Sequence, residues 1–199
     1  MTRLLRRWQT LLLFALLLLG GCHQQSSPPA PRDSVQSGRG ASTNARIVTA
    51  QLLRIQDGDS FIARLEDGAH LTVRLSGIDA PERSQPHADQ SRQSLQRLLQ
   101  GRSLQIHIAK TDQYGRVVAQ VFAQADAENI DVGLAQMERG LAWFYQHYRR
   151  DLPPEWREVY AKTEQVARHA RLGLWQAADA QTPWDFRSSR RANPAPAGK

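Results

Sequence analysis

The stretch "SFIARLEDGAHLTVRLSGI", Ser60 to Ile78, decides the fold. In its second half Leu71, Val73 and Leu75 alternate with Thr72, Arg74 and Ser76. A period of two places one set on a core face and the other outward, so this is a strand. Asp67-Gly68 separates it from the run Ser60–Leu65. Asp-Gly supplies the positive φ that a tight hairpin needs, which makes the pair a hairpin signal. A second such pair, Asp57-Gly58, joins Ser60 to the apolar run "RIVTAQLLRI", Arg46 to Ile55. The result is an expected meander of three strands.

Downstream, Leu95, Leu98 and Leu99 have helical spacing in Ala88–Gln100, and Gly101 stands where a helix stops. "SLQIHIAK" and "RVVAQVFA" read as two more strands, joined by the turn "TDQYG". From Asn129 the pattern changes to helix, with Asn129 or Asp131 as its cap, Val132, Leu134, Ala135 and Met137 inside, and Gly140 closing it. A last helix, Pro154 to His169, begins after a double proline. The order predicts an α+β fold: a five-stranded OB-fold β-barrel with three α-helices. A doubly wound parallel sheet is excluded, because neither G-x-G-x-x-G nor a P-loop follows any strand.

Charge says less than it first suggests. The chain of 199 residues carries +7. Between Arg46 and Ala177, however, 17 Lys or Arg oppose 16 Asp or Glu, and 17 − 16 leaves +1. Anion binding must therefore come from local placement. At the N-terminus Arg3, Arg6 and Arg7 precede the run Leu11–Leu19, which is too short to span a bilayer and has the size of a secretory h-region. "LGGC", ending at Cys22, resembles the lipobox of bacterial lipoproteins, whose cysteine is acylated. Residues 1–21 are thus expected to be a lipoprotein signal peptide. Residues 22–45, rich in Ser, Pro and Gln, are expected to be a disordered tether. The folded domain is expected over 46–177 and a basic tail over 178–199. Cys22 is the sole cysteine, so no disulfide forms within the chain. These features imply a monomer in the cell envelope, held to a membrane through Cys22. His23 follows the cysteine, where Asp would favour inner-membrane retention, so an outer membrane or periplasm is favoured if the cell has one.

Three short pieces hold the chemistry. "QDGDS" supplies Asp57 and Asp59 around a turn, "VRLSGIDAPE" supplies Arg74, Asp79 and Glu82, and "DQYGR" supplies Tyr114 and Arg116. Each alone is an ordinary turn or strand end. Together they are what phosphodiester hydrolysis requires. Asp59 and Asp79 offer hard oxygen ligands suited to Ca²⁺ or Mg²⁺. Glu82 can orient or deprotonate a water, and two guanidinium groups can grip a phosphate. His147 and His169 lack partners at metal-ligand spacing, and Trp175 and Trp184 suit packing of the C-terminus onto the domain.

The order "DGDS … VRLSGIDAPE … DQYGRVVAQVF … ERGLAW" resembles the thermonuclease (staphylococcal nuclease-like) family over Arg46 to Trp175. The resemblance implies a calcium-dependent endonuclease acting on DNA and RNA and leaving 3′-phosphate ends. It implies calcium ligation by Asp59 and Asp79, an outer-shell place for Asp57, and a base or water-organising role for Glu82. Arg74 and Arg116 would bind the phosphate, with Tyr114 beside it. Ala80 stands where the best-known member has a threonine whose main-chain carbonyl ligates the metal, a role alanine can fill. Tyr145 and Tyr148 are both open as the base-stacking ring; Tyr148 is taken as the substrate contact. The contrasting reading is a catalytically inactive OB-fold nucleic-acid-binding lipoprotein. A module of that kind would need a basic groove, and +1 over the domain gives little passive attraction.

Overall fold

The computed structural model describes residues 46–125 and 129–192. The expected signal peptide, the tether and Cys22 lie outside the described residues. Strands β1 (Arg46–Ile55), β2 (Ser60–Leu65) and β3 (His70–Leu75) form the meander that the two Asp-Gly turns predict. Strands β5 (Ser103–Thr111) and β6 (Val117–Gln124) follow, with β4 (Ile78–Asp79) a two-residue strand between them and the meander. The sheet runs β3-β2-β1-β5-β6-β7, where β7 is Asn129–Asp131.

Two features give the sheet its curl. The register between β1 and β2 shifts at Leu52/Arg54, a bulge that bends β1 so that its first half pairs with β5 and its second with β2. At the other side β3 meets β6 in parallel, Val73↔Val117, Arg74↔Val118 and Leu75↔Ala119. The five expected strands of an α+β, OB-type fold are thus present, and the short β7 adds a sixth at the edge of the sheet. Phe61, Ala63, Val73, Leu104, Ile106, Ala119 and Val121 fill the inner face, each almost wholly buried.

Helix α1 (Ala88–Leu99) covers the core with Leu95, Leu98 and Leu99. Helix α2 (Val132–Glu138) is capped by Asp131, which accepts from Leu134 N at 3.0 Å. Asn129 is not the cap, because residues 129–131 pair with β6 first. Asp131 also accepts from Gln120 Nε2 and Tyr160 Oη, both at 2.7 Å, and so ties β6, α2 and α3 (Pro154–His169) together. The segment between α2 and α3 contains β8 (Trp143–Phe144), paired antiparallel with β4.

One expectation needs correction. The C-terminal segment is not simply a polar tail: Pro183–Ala192 forms a fourth helix, α4. Thr182 Oγ1 accepts from Asp185 N and its hydroxyl donates to the Asp185 carboxylate, a reciprocal cap just ahead of Pro183. Trp184 packs against the cluster of Trp143, Ala167, Leu174 and Trp175. Among the described residues no helix is long and apolar enough to cross a membrane.

Candidate functional site

Backbone pairing brings the charged residues together before any side chain is considered. Ser60 faces Arg74 across β2 and β3, and Arg74 faces Val118 across β3 and β6. The turn that ends in Asp59 therefore lies against the C-terminal end of β3, and Leu75 N donates to Asp59 O at 2.8 Å. Gly77, with φ at 72°, then redirects the chain; a Cβ there would overlap Leu152. Tyr145 N donates to Gly77 O, and the β4–β8 pair holds Asp79 against Trp143.

Asp59 and Asp79 are only 4% and 1% exposed. Carboxylates so buried need compensating charge. Arg74 supplies it to both: Nη1 lies 2.6 Å from Asp59 Oδ1, and Nη2 lies 2.9 Å from Asp79 Oδ1. Asp59 also accepts from Ser60 Oγ at 2.7 Å and from Ala80 N at 2.9 Å. Burial pushes the Asp59 carboxyl up, but Arg74 and these donors outweigh it and hold it below the ordinary value. Asp79 ends raised, through burial and the neighbouring Asp59 charge. Asp57 is pushed up to about 7 by burial and then by Asp59. Burial works against the Arg74 charge, yet Asp59 and Asp79 raise its pKa and keep it protonated.

Glu82 and Arg116 complete the rim. Glu82 N donates to Gln85 Oε1 at 2.8 Å, which fixes the chain after Pro81. Arg116 is aimed by Asp112, whose Oδ2 accepts from Nε and from Nη2 at 2.8 Å each. Gly115, with φ at 77°, allows that tight turn. Tyr114 is 74% exposed, with the Arg116 guanidinium 5.5 Å from its ring centre. Tyr148 is exposed beside Lys110, whereas Tyr145 is stacked on Trp184 with centroids 4.9 Å apart and planes at 14°.

A single cleft of about 640 Å³ is lined by Asp57, Asp59, Arg74, Asp79, Glu82, Tyr114, Arg116 and Tyr148, with Tyr145 between them. All the candidate site residues in the described part of the sequence thus share one cavity. Sequence reasoning missed two further participants. Gln136 is fully buried and donates through Nε2 to Gly58 O at 2.7 Å and Ser91 O at 3.0 Å, pinning the Asp57–Asp59 turn to the helices. Arg187 of α4 reaches Asp79 Oδ2 at 2.7 Å and Glu82 Oε1 at 2.6 Å. Its pKa is raised although burial opposes the charge, because both carboxylates accept from it.

The donor set is all oxygen, with more buried acid than one guanidinium neutralises, and this suits a hard divalent cation. Among the described residues no three carboxylate, His or Cys side chains form a ready-made metal cage. The guanidinium groups of Arg74 and Arg187 lie between the acids instead.

Comparison with known proteins points the same way. The sequence model of the family described as "Staphylococcal nuclease homologue" matches residues 72–177. A micrococcal nuclease of Shigella flexneri is 34% identical over 148 residues, covering 71% of this chain and 81% of that protein. A probable staphylococcal-like nuclease of Oryza sativa subsp. japonica is 35% identical over 119 residues, 60% of this chain. The chain spans only about a third of that plant protein's length. An uncharacterized endonuclease of Escherichia coli is 29% identical over 140 residues, 85% of its length.

Proposed function

This chain belongs to the staphylococcal nuclease family, and on that premise we propose that it is a calcium-dependent endonuclease hydrolysing the phosphodiester bonds of DNA and RNA. The observation that supports this most strongly is the shared guanidinium. Two buried carboxylates, one from the turn before β2 and one from β4, meet on Arg74 inside a cleft that also holds Glu82 and Arg116.

In this reading Asp59 and Asp79 hold the cation. When bound, it would polarise the phosphate and lower the pKa of a coordinated water. Glu82 takes the proton of the attacking water as its oxygen forms a bond to phosphorus. The bond from phosphorus to the 5′-oxygen breaks, the departing 5′-oxygen takes a proton from solvent, and the products carry a 3′-phosphate and a 5′-hydroxyl. Arg74 and Arg116 counter the charge that grows on the phosphoryl oxygens. A guanidinium has five N–H donors, so Arg116 can keep its grip on Asp112 and still present donors to a phosphate. The Asp112 contact orients it in advance, which lowers the cost of organising the site during reaction. Tyr148 and Tyr114, both exposed at the rim, offer faces on which bases stack without regard to sequence.

The protein is further proposed to be exported and lipid-anchored through Cys22, working as a monomer at the cell envelope. The enzymatic reading is tested with purified protein and plasmid DNA. Degradation with Ca²⁺ that stops on adding a chelator is expected; undiminished cutting in chelator would remove the metal from the reaction. Binding of DNA with no cleavage under any divalent ion would favour the inactive binding module.

A further inference from the structure

Helix α4 does more than finish the chain. Four unlike contacts fasten it over the acidic end of the cleft. Gln85 Nε2 donates to Gln181 O at 3.0 Å, Trp184 stacks on Tyr145, and Arg190 Nη1 donates to Ser84 Oγ at 3.1 Å. The fourth is Arg187, whose two terminal nitrogens are divided between Asp79 and Glu82.

The division matters because of what it uses up. Asp79 Oδ1 is taken by Arg74 and Asp79 Oδ2 by Arg187, so both oxygens of that carboxylate already face a positive charge. A divalent ion engaging Asp79 on the side of Glu82 would meet the Arg187 guanidinium at contact distance. Like charges so placed repel, and the carboxylate oxygens cannot serve both. One cation has to leave. Arg74 is built into β3, with its side chain 14% exposed, while Arg187 is 33% exposed and rides on a helix made by the C-terminal segment. Arg187 is the one free to go.

We propose that α4 is a tethered competitor for the cation: Arg187 holds Asp79, one of the two proposed ligands, together with Glu82, the proposed base, and the arm must lift before a divalent ion can engage Asp79 from that side and leave Glu82 free to act. This rests on the reading of Asp79 and Glu82 given under Proposed function. The competitor is part of the chain, so its local concentration is high and does not fall on dilution. Apparent metal affinity is reduced by the fraction of molecules with the arm open; an open fraction of roughly 1–10% weakens binding about ten- to a hundredfold. With the arm docked, Arg187, Arg190 and Arg191 all line the cleft wall.

Calcium titration of the full chain by calorimetry, with no nucleic acid present, tests the proposal. Arg187→Gln keeps polar bulk and removes the charge, and is expected to bind Ca²⁺ at least tenfold more tightly than wild type. Trp184→Ala loosens the arm without touching a carboxylate and is expected to tighten binding as well; it carries the test if the Arg187 variant does not fold. In wild type, Ca²⁺ should also change the emission of Trp184 as it leaves Tyr145, a change absent from Trp184→Phe. Equal or weaker Ca²⁺ binding by both Arg187→Gln and Trp184→Ala, with wild type still binding, overturns the competitor alone. No binding of Ca²⁺ by any variant overturns the cation reading of Asp59 and Asp79, and the competitor with it.

Discussion

Replacing Arg74 by Met should expose how the cleft is held together in the absence of metal. Met nearly preserves the buried volume, so the cavity contribution is small and the effect is electrostatic. The substitution leaves Asp59 and Asp79, 4% and 1% exposed, without the guanidinium that bridges them at 2.6 and 2.9 Å. Removing one partner of a buried ion pair costs about 3–5 kcal/mol. Asp59 keeps its hydrogen bonds from Ser60 and Ala80, and Asp79 keeps Arg187, which places the expected loss near the lower figure. The sign with pH follows from Asp59. Burial raises its carboxyl and Arg74 more than reverses this, so in wild type its contribution is present above the unfolded value and lost as pH falls through the folded one. In the variant burial is opposed only by the Ser60 and Ala80 donors, so the folded carboxyl rises from its wild-type position and its protonation relieves the uncompensated buried charge. The destabilisation should therefore be about 3 kcal/mol at pH 7 and shrink as pH falls below the ordinary carboxylate value of about 4. Urea unfolding in chelator at both pH values measures it. A loss under about 1 kcal/mol at pH 7, or one that does not change with pH, would refute the bridging role.

Three other outcomes are expected. Arg116→Ala should slow turnover on DNA by on the order of 10³-fold, as for other phosphate-gripping arginines, and a loss below tenfold would remove it from the reaction. Gly77→Ala should destabilise the fold by about 1–3 kcal/mol, because the residue has φ at 72° and an added Cβ would overlap Leu152; an unchanged urea midpoint would count against that packing. Cys22→Ala should release the protein from the membrane fraction with its specific activity unchanged, and continued sedimentation would contradict the lipid anchor.

The parts legible in the sequence are those where local chemistry and tertiary packing agree. Asp57-Gly58 and Asp67-Gly68 demand turns, the alternation in His70–Leu75 demands a strand, and Pro154 marks the start of α3. What was not legible depends on distant partners. Strands β4 and β8 have two residues each and exist only because they pair with one another, so neither carries a periodic signal. Gln136 reads as a polar surface position until the close approach of Gly58, Ser91 and α2 buries it. Helix α4 did carry a local sign, a Thr-Pro-x-Asp start at Thr182, but its Ser- and Arg-rich body has no continuous apolar stripe and reads as solvated chain. The contact of Arg187 with Asp79 joins residues 108 apart, and no spacing rule anticipates it.

The central claim is that Glu82 and the Asp59–Asp79 pair act as one metal-dependent hydrolytic unit, and single-turnover cleavage of duplex DNA by wild type and Glu82→Gln tests it most directly. With saturating Ca²⁺ the variant should cut on the order of 10²–10⁴ times more slowly while still binding the ion, and wild type should not cut in chelator. A variant that cuts at the wild-type rate, or a wild type indifferent to chelator, would contradict the account.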